Sequence, residues 1–258
     1  MKVVILAGGF GTRISEESHL RPKPMIEIGG MPILWHIMKY YASFGHHDFV
    51  ICAGYRQSVI KDWFSDYYIN HSDATFDFVT KEKVTVHSTC SEPWRVTVVD
   101  TGLETMTGGR IKRVRRYIGD EPFFLTYGDG VADVDLAAEA AFHLAHGKLA
   151  TVMAVKPDSR FGVLDIREDR VCAFREKSEV DAGWINGGFM ILSPRVIDYI
   201  DGDATVFERA PLERLCAEGE LMAFRHHGFW QCMDTMRDKE HLEKLWAADK
   251  APWRRWEG

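Results

Sequence analysis

A glycine-rich segment and two cations near the N-terminus are the residues whose chemistry is easiest to interpret. The segment Gly8–Thr12 follows the aliphatic run Val3–Leu6, and Arg13 and Lys23 come after it. Glycine leaves backbone N–H groups open to an anion, while a guanidinium and an ammonium supply positive charge. The pattern predicts a buried strand that ends in a loop for the phosphates of a nucleotide.

Two familiar glycine-rich motifs do not fit this loop. A P-loop needs a second glycine followed by Lys and Ser or Thr, which this segment lacks. The dinucleotide fingerprint matches at Gly9 and Gly11, but Ile14 stands where its third glycine belongs. Taken alone, the loop could still be an ordinary tight turn with a solvated Arg13. The Thr-Arg pair and the later Pro-Lys-Pro sequence favour phosphate binding.

A carboxylate further along the chain could hold a metal ion beside this loop. Asp129 lies between two glycines, directly after the apolar run Phe123–Tyr127. Ligands of open α/β sheets bind at the carboxyl ends of the strands, where both this turn and the glycine-rich loop are expected. Mg²⁺ uses one or two carboxylates and completes its shell with water and phosphate oxygens. A turn aspartate that bonds its own backbone is the alternative.

A second acidic pair follows closely. Asp133 and Asp135 have the Asp-x-Asp spacing that holds metal in many glycosyltransferases, which leaves transfer from a nucleotide sugar as an alternative activity. Aspartate is also favoured at the N-cap and in the first turn of a helix. Because a helix is expected from about residue 135, capping is the preferred interpretation.

The elements that must position these residues alternate between strands and helices. The order βαβα at the start favours a parallel sheet with helices on both faces. The predicted fold class is therefore α/β: a three-layer αβα, Rossmann-like arrangement with a mixed, mostly parallel central sheet and a small β appendage. The appendage is expected within residues 74–100, where apolar and polar residues alternate. The further predicted strands are Phe49–Ala53, Phe123–Tyr127 and Ala150–Val155.

The predicted helices have recognisable starts and ends. Pro32 is expected in the first turn of a helix that closes at Gly45, and Thr107–Gly109 is expected to break the chain before another helix. The remaining helices are expected at Ser58–Tyr68, Asp135–His146, Pro194–Ile200, Pro211–Glu218 and Arg237–Trp246.

Composition excludes several classes of protein. A chain of 258 residues, 46% of them hydrophobic, can bury one large core, and we expect a single domain over residues 1–258. The net charge of −6 argues against nucleic acid, and the basic run from Arg110 to Arg116 is expected to be a solvated helix face.

Five scattered cysteines indicate a reducing compartment, and no apolar stretch suggests a membrane span or a signal peptide. A cytoplasmic location is expected.

The chain resembles the sugar-1-phosphate nucleotidyltransferases, the pyrophosphorylases that make nucleotide sugars. The sequence L-A-G-G-x-G-T-R followed by P-K-P is the signature of that family. The likeness runs in one order over nearly the whole chain and includes Pro24–Gly30, Pro32–Lys39, Thr126–Asp133, Ile185–Gly188 and Gly228–Thr235. The resemblance implies the nucleotide-diphospho-sugar transferase type of fold, with nucleotide bound mainly by residues 1–130. Sugar phosphate and oligomer contacts are expected within residues 131–258.

The resemblance also implies the roles of individual residues. Arg13, Lys23, Asp129 and Asp234 are expected to be catalytic, with Mg²⁺ held by Asp129 and Asp234. The expected nucleotide-binding residues are Leu6, Ala7, Gly8, Gly9, Phe10, Gly11, Thr12, Arg13, Lys23, Thr105, Arg110 and Gly128. The expected sugar-phosphate residues are Glu176, Lys177, Asn186 and Gly187. Ser178 replaces the proline that usually follows the Glu-Lys pair, which leaves the sugar less certain than the reaction.

The substrates implied by this resemblance are CTP and glucose 1-phosphate, in a homo-oligomer such as a hexamer or another multiple of a dimer or trimer. Another NTP or another sugar 1-phosphate remains an alternative within the family. A metal-dependent glycosyltransferase and a non-catalytic nucleotide-sugar sensor are alternatives from other classes. Retention of Lys23 and of both aspartates argues against the sensor.

Overall fold

The computed structural model describes residues 1–79, 84–89, 91–156, 163–167, 169–175 and 183–256. Within these ranges the side chains of residues 13, 15, 16, 163–166, 174 and 175 are not described. The strands are β1 Val3–Ala7, β2 Glu27–Ile28, β3 Met31–Pro32, β4 Asp48–Ala53, β5 Ser72–Thr75, β6 Thr85–Thr89, β7 Arg95–Asp100, β8 Phe123–Tyr127, β9 Gly130–Ala132, β10 Ala150–Val155, β11 Val163–Arg167, β12 Arg170–Arg175, β13 Trp184–Leu192, β14 Leu221–Arg225 and β15 Trp230–Cys232.

The helices separate most of these strands. The α-helices are α1 Ser15–Ser18, α2 Ile33–Ala42, α3 Gln57–Asn70, α4 Thr107–Arg113, α5 Arg115–Ile118, α6 Leu136–His146, α7 Ala210–Ala217 and α8 Met236–Ala247. Three 3-10 helices cover Thr12–Ile14, Lys23–Met25 and Pro194–Tyr199. None of the described helices is both long enough and apolar enough to cross a lipid bilayer.

Nine strands form one mixed sheet in the order β10-β14-β12-β11-β13-β8-β1-β4-β7. Strands β8, β1, β4 and β7 run parallel to one another, as the βαβα order predicts. The other half is mainly antiparallel, since β13 runs against β8, β10 and β11. The mixed sheet is therefore confirmed, and its parallel part is the half that carries the glycine-rich loop.

Side chains from the central strand enter two separate cores. Val3 and Ile5 of β1 lie in one hydrophobic cluster with residues of α2, α3, α6 and α8. Val4 and Leu6 lie in the other with residues of α4, α5 and α7. Successive strand residues point to opposite faces, so a continuous apolar run is buried on both sides. This division confirms the predicted three-layer αβα architecture.

The expected β appendage is smaller than the sequence suggested. Strands β5 and β6 do form a separate antiparallel hairpin, with Ser72 opposite Thr89. Strand β7, however, joins the edge of the main sheet parallel to β4, with Val98 opposite Ile51. Val96 and Val98 pack against the core, and this burial explains why β7 belongs to the sheet.

Two helix boundaries also differ from expectation. Pro32 occupies the N-cap position of α2, just outside its first turn, and makes no side-chain capping hydrogen bond. Gly108 and Gly109 do not break the chain but belong to α4. The segment around Thr205 approaches this helix too closely to leave room for side chains at the two positions. A Cβ on Gly109 would lie 2.6 Å from the Cα of Asp203, a distance that only glycine permits. The expected helix at 194–200 is 3-10 in form.

Candidate active site

The glycine-rich loop leaves the carboxyl end of β1, which lies between β4 and β8. Gly11 has a φ of +66°, a conformation that glycine adopts readily. A Cβ on Gly8 would lie 2.1 Å from Nη1 of Arg110, so glycine at this position makes room for a guanidinium beneath the loop. The loop continues into the 3-10 helix Thr12–Ile14, which contains Arg13. The side chain of Arg13 lies outside the described atoms.

Arg110 corrects the expectation that the whole basic run is solvated. Its side chain is buried, and it donates hydrogen bonds to a hydroxyl and to four carbonyl groups at the ends of three neighbouring strands. The acceptors are Gly8 at 3.1 Å, Ala53 at 3.3 Å, Thr101 at 2.8 Å, Gly102 at 2.7 Å and Leu103 at 3.2 Å. The guanidinium therefore fixes the loop from below, which is a positioning role.

Asp129 and Asp234 are brought together by a short ladder. Strand β9, which follows Asp129, pairs antiparallel with β15, so that Gly130 faces Cys232. The backbone N–H of Met233 then donates to the carbonyl of Asp129 at 2.8 Å. Since Asp234 follows Met233, the ladder places both carboxylates at the carboxyl end of β8. The proximity expected only from resemblance thus has a structural cause.

Lys23 bridges the two aspartates. Its Nζ lies 2.5 Å from Oδ2 of Asp129 and 2.5 Å from Oδ1 of Asp234. Burial alone would lower the pKa of Lys23, but the charge and hydrogen bonds of the two carboxylates outweigh burial and raise the pKa above its usual range. The amine therefore stays protonated and places a fixed positive charge between two carboxylates.

The backbone of Asp234 is held by the start of α8. Thr235 is the N-cap of this helix, and its hydroxyl accepts a hydrogen bond from the N–H of Asp238. Oδ2 of Asp238 in turn accepts from the N–H groups of Thr235 at 2.8 Å and Asp234 at 3.1 Å. This reciprocal capping box fixes the segment that carries the second carboxylate.

The donor atoms at this point suit a divalent cation. Carboxylate oxygens of Asp129 and Asp234 and the Sγ of Cys232 all lie within 4.8 Å of one another. Two hard oxygen donors match the chemistry of Mg²⁺, which completes its shell with water and phosphate. Burial and the nearby charge of Asp129 raise the pKa of the Cys232 thiol well above its usual range. A neutral thiol is a poor ligand for Mg²⁺, so the two aspartates would hold it.

Two cavities meet at this cluster. The first, of about 510 Å³, is lined by every predicted nucleotide-binding residue except Arg13. The second, of about 520 Å³, is lined by Asn186 and Gly187, which were predicted to contact the sugar phosphate. Glu176 and Lys177 lie outside the described residues. The walls common to both cavities are Met106, Tyr127, Asp129 and Asp234.

Sequence reasoning missed two side chains of the second cavity. Oε2 of Glu208 accepts a hydrogen bond from the Thr107 hydroxyl at 2.5 Å, and Oε1 accepts from the hydroxyl of Tyr127. Trp230 donates from Nε1 to the carbonyl of Gly187 at 2.7 Å and so closes one side of this cavity. Tyr127 and Trp230 each lie within a stretch that carries the family likeness, whereas nothing in the local sequence distinguishes Glu208.

The second acidic pair has structural partners. Oδ1 of Asp135 accepts from the N–H groups of Ala137 and Ala138, both at 3.0 Å, so the predicted helix cap is confirmed. Asp133 lies 2.9 Å from Nε2 of His226. Asp135 therefore serves the start of α6, and this arrangement does not favour a glycosyltransferase metal site.

Comparison with known proteins gives consistent matches. The family model for nucleotidyl transferases matches residues 2–235. The chain is 57% identical to glucose-1-phosphate cytidylyltransferase of Salmonella typhimurium over 258 residues, 100% of both chains. It is 43% identical to a probable glucose-1-phosphate cytidylyltransferase of Bacillus subtilis over 99% of this chain and 100% of the other. The crystal structure of HddC from Yersinia pseudotuberculosis matches with a TM-score of 0.76 and 26% identity, covering 95% of this chain and 99% of that one.

Proposed function

The chain belongs to the nucleotidyl transferase family, and on this basis we propose that it transfers a cytidylyl group from CTP to α-D-glucose 1-phosphate, forming CDP-glucose and pyrophosphate. The family expected from the sequence motifs is confirmed by the family match. The activities for which the Salmonella and Bacillus relatives are named support this choice of nucleotide and sugar.

The proposed reaction is a single in-line displacement. A phosphate oxygen of glucose 1-phosphate attacks the α-phosphorus of CTP, the bond from that phosphorus to the bridging oxygen breaks, and pyrophosphate leaves with its electron pair. The attacking phosphate is already an anion, so no general base is needed. The protein contributes alignment and charge neutralisation, which dominate catalysis of phosphoryl transfer.

We infer the roles of the residues from the positions of those that the structure describes and, for the others, from the family resemblance. Lys23, at the junction of the two cavities, would stabilise charge on the α-phosphate and on the incoming phosphate. Arg13 would neutralise the leaving pyrophosphate, and Asn186 and Gly187, together with Glu176 and Lys177, would hold the sugar phosphate. Mg²⁺ bound by Asp129 and Asp234 would neutralise phosphate charge and orient both substrates.

One observation carries this proposal: the nucleotide cavity and the second cavity share Asp129 and Asp234, with the ammonium of Lys23 between their carboxylates. A bisubstrate transfer needs its two substrates to meet at a positively charged, metal-competent point. A binding protein for a preformed nucleotide sugar would not need a carboxylate pair there.

The proposal extends to the setting in which the enzyme works. We place it in the cytoplasm, where CTP is available, and among the described residues Cys52, Cys172 and Cys232 are free thiols, which is consistent with a reducing compartment. A homo-oligomer built from dimers or trimers is part of the same proposal, as is a single domain over residues 1–258 with nucleotide bound mainly by residues 1–130.

A pyrophosphate-release assay tests the function. The purified chain is incubated with Mg²⁺, each of CTP, UTP, dTTP, ATP and GTP, and a panel of sugar 1-phosphates. The highest kcat/KM is expected for CTP with glucose 1-phosphate, with CDP-glucose as the product. A preference for another pair would revise the substrates within the family. Absence of pyrophosphate with every pair would contradict nucleotidyl transfer, and sugar transfer from CDP-glucose to an acceptor would support the glycosyltransferase alternative.

A further inference from the structure

Cys232 places a thiol at the proposed metal centre. The residue ends β15, directly opposite Gly130, and lies two positions before Asp234. Its Sγ lies near carboxylate oxygens of Asp129 and Asp234. The three donor atoms are all within 4.8 Å of one another, close enough to share one ion. The proposed cytidylyl transfer makes no use of this thiol.

The thiol changes which cations the centre can hold. Mg²⁺ is a hard ion that prefers oxygen ligands, whereas Zn²⁺ and Cd²⁺ bind sulfur strongly. We propose that Asp129, Cys232 and Asp234 together form a binding site for a thiophilic divalent cation of the Zn²⁺ class, in competition with Mg²⁺. This inference rests on the metal centre of the proposed function and adds a third protein ligand to it.

The geometry and charge of the cluster support such a site. Zn²⁺ binds carboxylate oxygen at about 2.0–2.2 Å and thiolate sulfur at about 2.3 Å, usually with four ligands in a tetrahedron. Donors within 4.8 Å of one another reach those distances through side-chain shifts of about 1 Å once the ion displaces the ammonium of Lys23, which lies 2.5 Å from both carboxylates. The thiol releases its proton to solvent when it binds the ion. The net charge of the occupied site is then zero, because the divalent cation and the ammonium of Lys23 balance two carboxylates and one thiolate.

The two classes of ion should depend differently on substrate. Mg²⁺ held by two carboxylates draws its remaining ligands from water and from substrate phosphates. A thiophilic ion held by three protein ligands needs only one more, which water can supply, so it binds without CTP. Such an ion would hold both aspartates in a fixed tetrahedral arrangement and would therefore inhibit transfer that depends on Mg²⁺.

Cobalt(II) gives a direct spectroscopic test. Chelator-treated protein is titrated with Co²⁺ in the absence of CTP and sugar phosphate, and thiolate-to-cobalt charge transfer is recorded in the near ultraviolet. The wild-type chain is expected to show the band, C232S and C232A to lose it, and D129N to weaken it at least tenfold. The control C172S changes an exposed, free cysteine and should keep the band.

Chemical modification of the wild-type chain gives a second measurement. Alkylation of the wild-type chain, followed by peptide mapping, should show Cys232 protected by Zn²⁺ and not by Mg²⁺, while Cys172 reacts equally in both. Zn²⁺ should also inhibit C232S at least tenfold more weakly than the wild type, relative to the activity each variant retains. Absence of the cobalt band in the wild type, or its persistence in C232S and C232A, would overturn the inference. A wild-type chain that makes CDP-glucose without showing the band would leave the proposed function intact.

Discussion

Nη2 of Arg110 donates a hydrogen bond to the carbonyl oxygen of Gly8 at 3.1 Å. A cation from α4 thus holds the loop that begins at the end of β1, and the absence of a side chain on Gly8 makes this contact possible. The same guanidinium also reaches the ends of β4 and β7 through Ala53 and Gly102. Three parallel strand ends are therefore tied together under the first cavity, where we propose that the nucleotide binds.

Replacing Arg110 should loosen that cavity. The lysine of R110K keeps the positive charge, but its single ammonium cannot reach all the acceptors of the guanidinium. Each buried carbonyl group left without a donor lowers the stability of the fold by at most about 1–3 kcal/mol. We expect the free energy of unfolding in urea to fall by about 2–4 kcal/mol and the KM for CTP to rise at least tenfold. The matched control is R113K, which changes an exposed ion pair with Asp203. An R110K enzyme indistinguishable from R113K would contradict the positioning role.

Removing the ammonium of Lys23 should lower kcat but strengthen the binding of Mg²⁺. K23M removes the ammonium that bridges Asp129 and Asp234, so kcat should fall by about 10²–10³-fold, the usual cost of losing one charge-stabilising group. The carboxylate pair, freed from its competing cation, should bind Mg²⁺ more tightly. Kinetics and calorimetric titration with Mg²⁺ measure the two effects. K61M, at an exposed lysine of α3, should change neither, and weaker Mg²⁺ binding by K23M would argue against the bridge.

The capping box of α8 should matter for catalysis as well as for stability. D238A removes the acceptor that holds the N–H groups of Asp234 and Thr235 and should cost about 1 kcal/mol of stability. We expect kcat to fall at least tenfold as well, because Asp234 loses its support. D135A removes the cap of α6 at a similar cost and should leave kcat unchanged. Equal kcat values for both variants would show that capping at Asp238 does not position the carboxylate, and a large loss in D135A would revive the glycosyltransferase alternative.

Glu139 should make the stability of the fold depend on pH. Its side chain is fully buried, neither carboxylate oxygen has a hydrogen-bond partner among the described residues, and burial raises its pKa to about 8. The unfolded chain releases this proton near pH 4.5, whereas the folded chain keeps it until about pH 8. The contribution of Glu139 to the free energy of unfolding should therefore be most favourable below pH 4.5. It should fall by up to about 1.4 kcal/mol per pH unit as the pH rises through that window.

The measurement is urea unfolding of the wild type, E139Q and E240Q from about pH 5 to about pH 8, which covers most of that window. E139Q cannot ionise and should unfold with a flatter pH dependence, so that its stability relative to the wild type improves toward pH 8. E240Q changes an exposed residue of α8 and should follow the wild type. A pH dependence in E139Q as steep as that of the wild type would exclude Glu139 as its source.

The parts of this structure that depend on local pattern could be predicted from sequence. The buried run Val3–Ala7, the glycine-rich loop and the cap at Asp135 follow from strand periodicity, glycine geometry and N-cap preference. The meeting of Asp129 with Asp234 could not be derived in this way, since it depends on the ladder between β9 and β15. Resemblance alone supplied that pair.

Other features could not be predicted because their residue types usually indicate a different environment. Arg110 sits in a basic run typical of a solvated helix face, yet it is buried because carbonyl groups from three strand ends supply its acceptors. Gly108 and Gly109 suggest a break, but they lie in α4 where another segment packs closely. Glu208 lines the site through long-range packing, for which a single sequence carries no signal.

A crystal structure of the chain with CTP and Mg²⁺, without glucose 1-phosphate, would show where the triphosphate and the metal ion bind. We expect the triphosphate on the Gly8–Thr12 loop, the metal ion on Asp129 and Asp234, and Lys23 turned toward the α-phosphate. A triphosphate bound away from that loop, or a metal ion that contacts neither aspartate, would contradict this expectation.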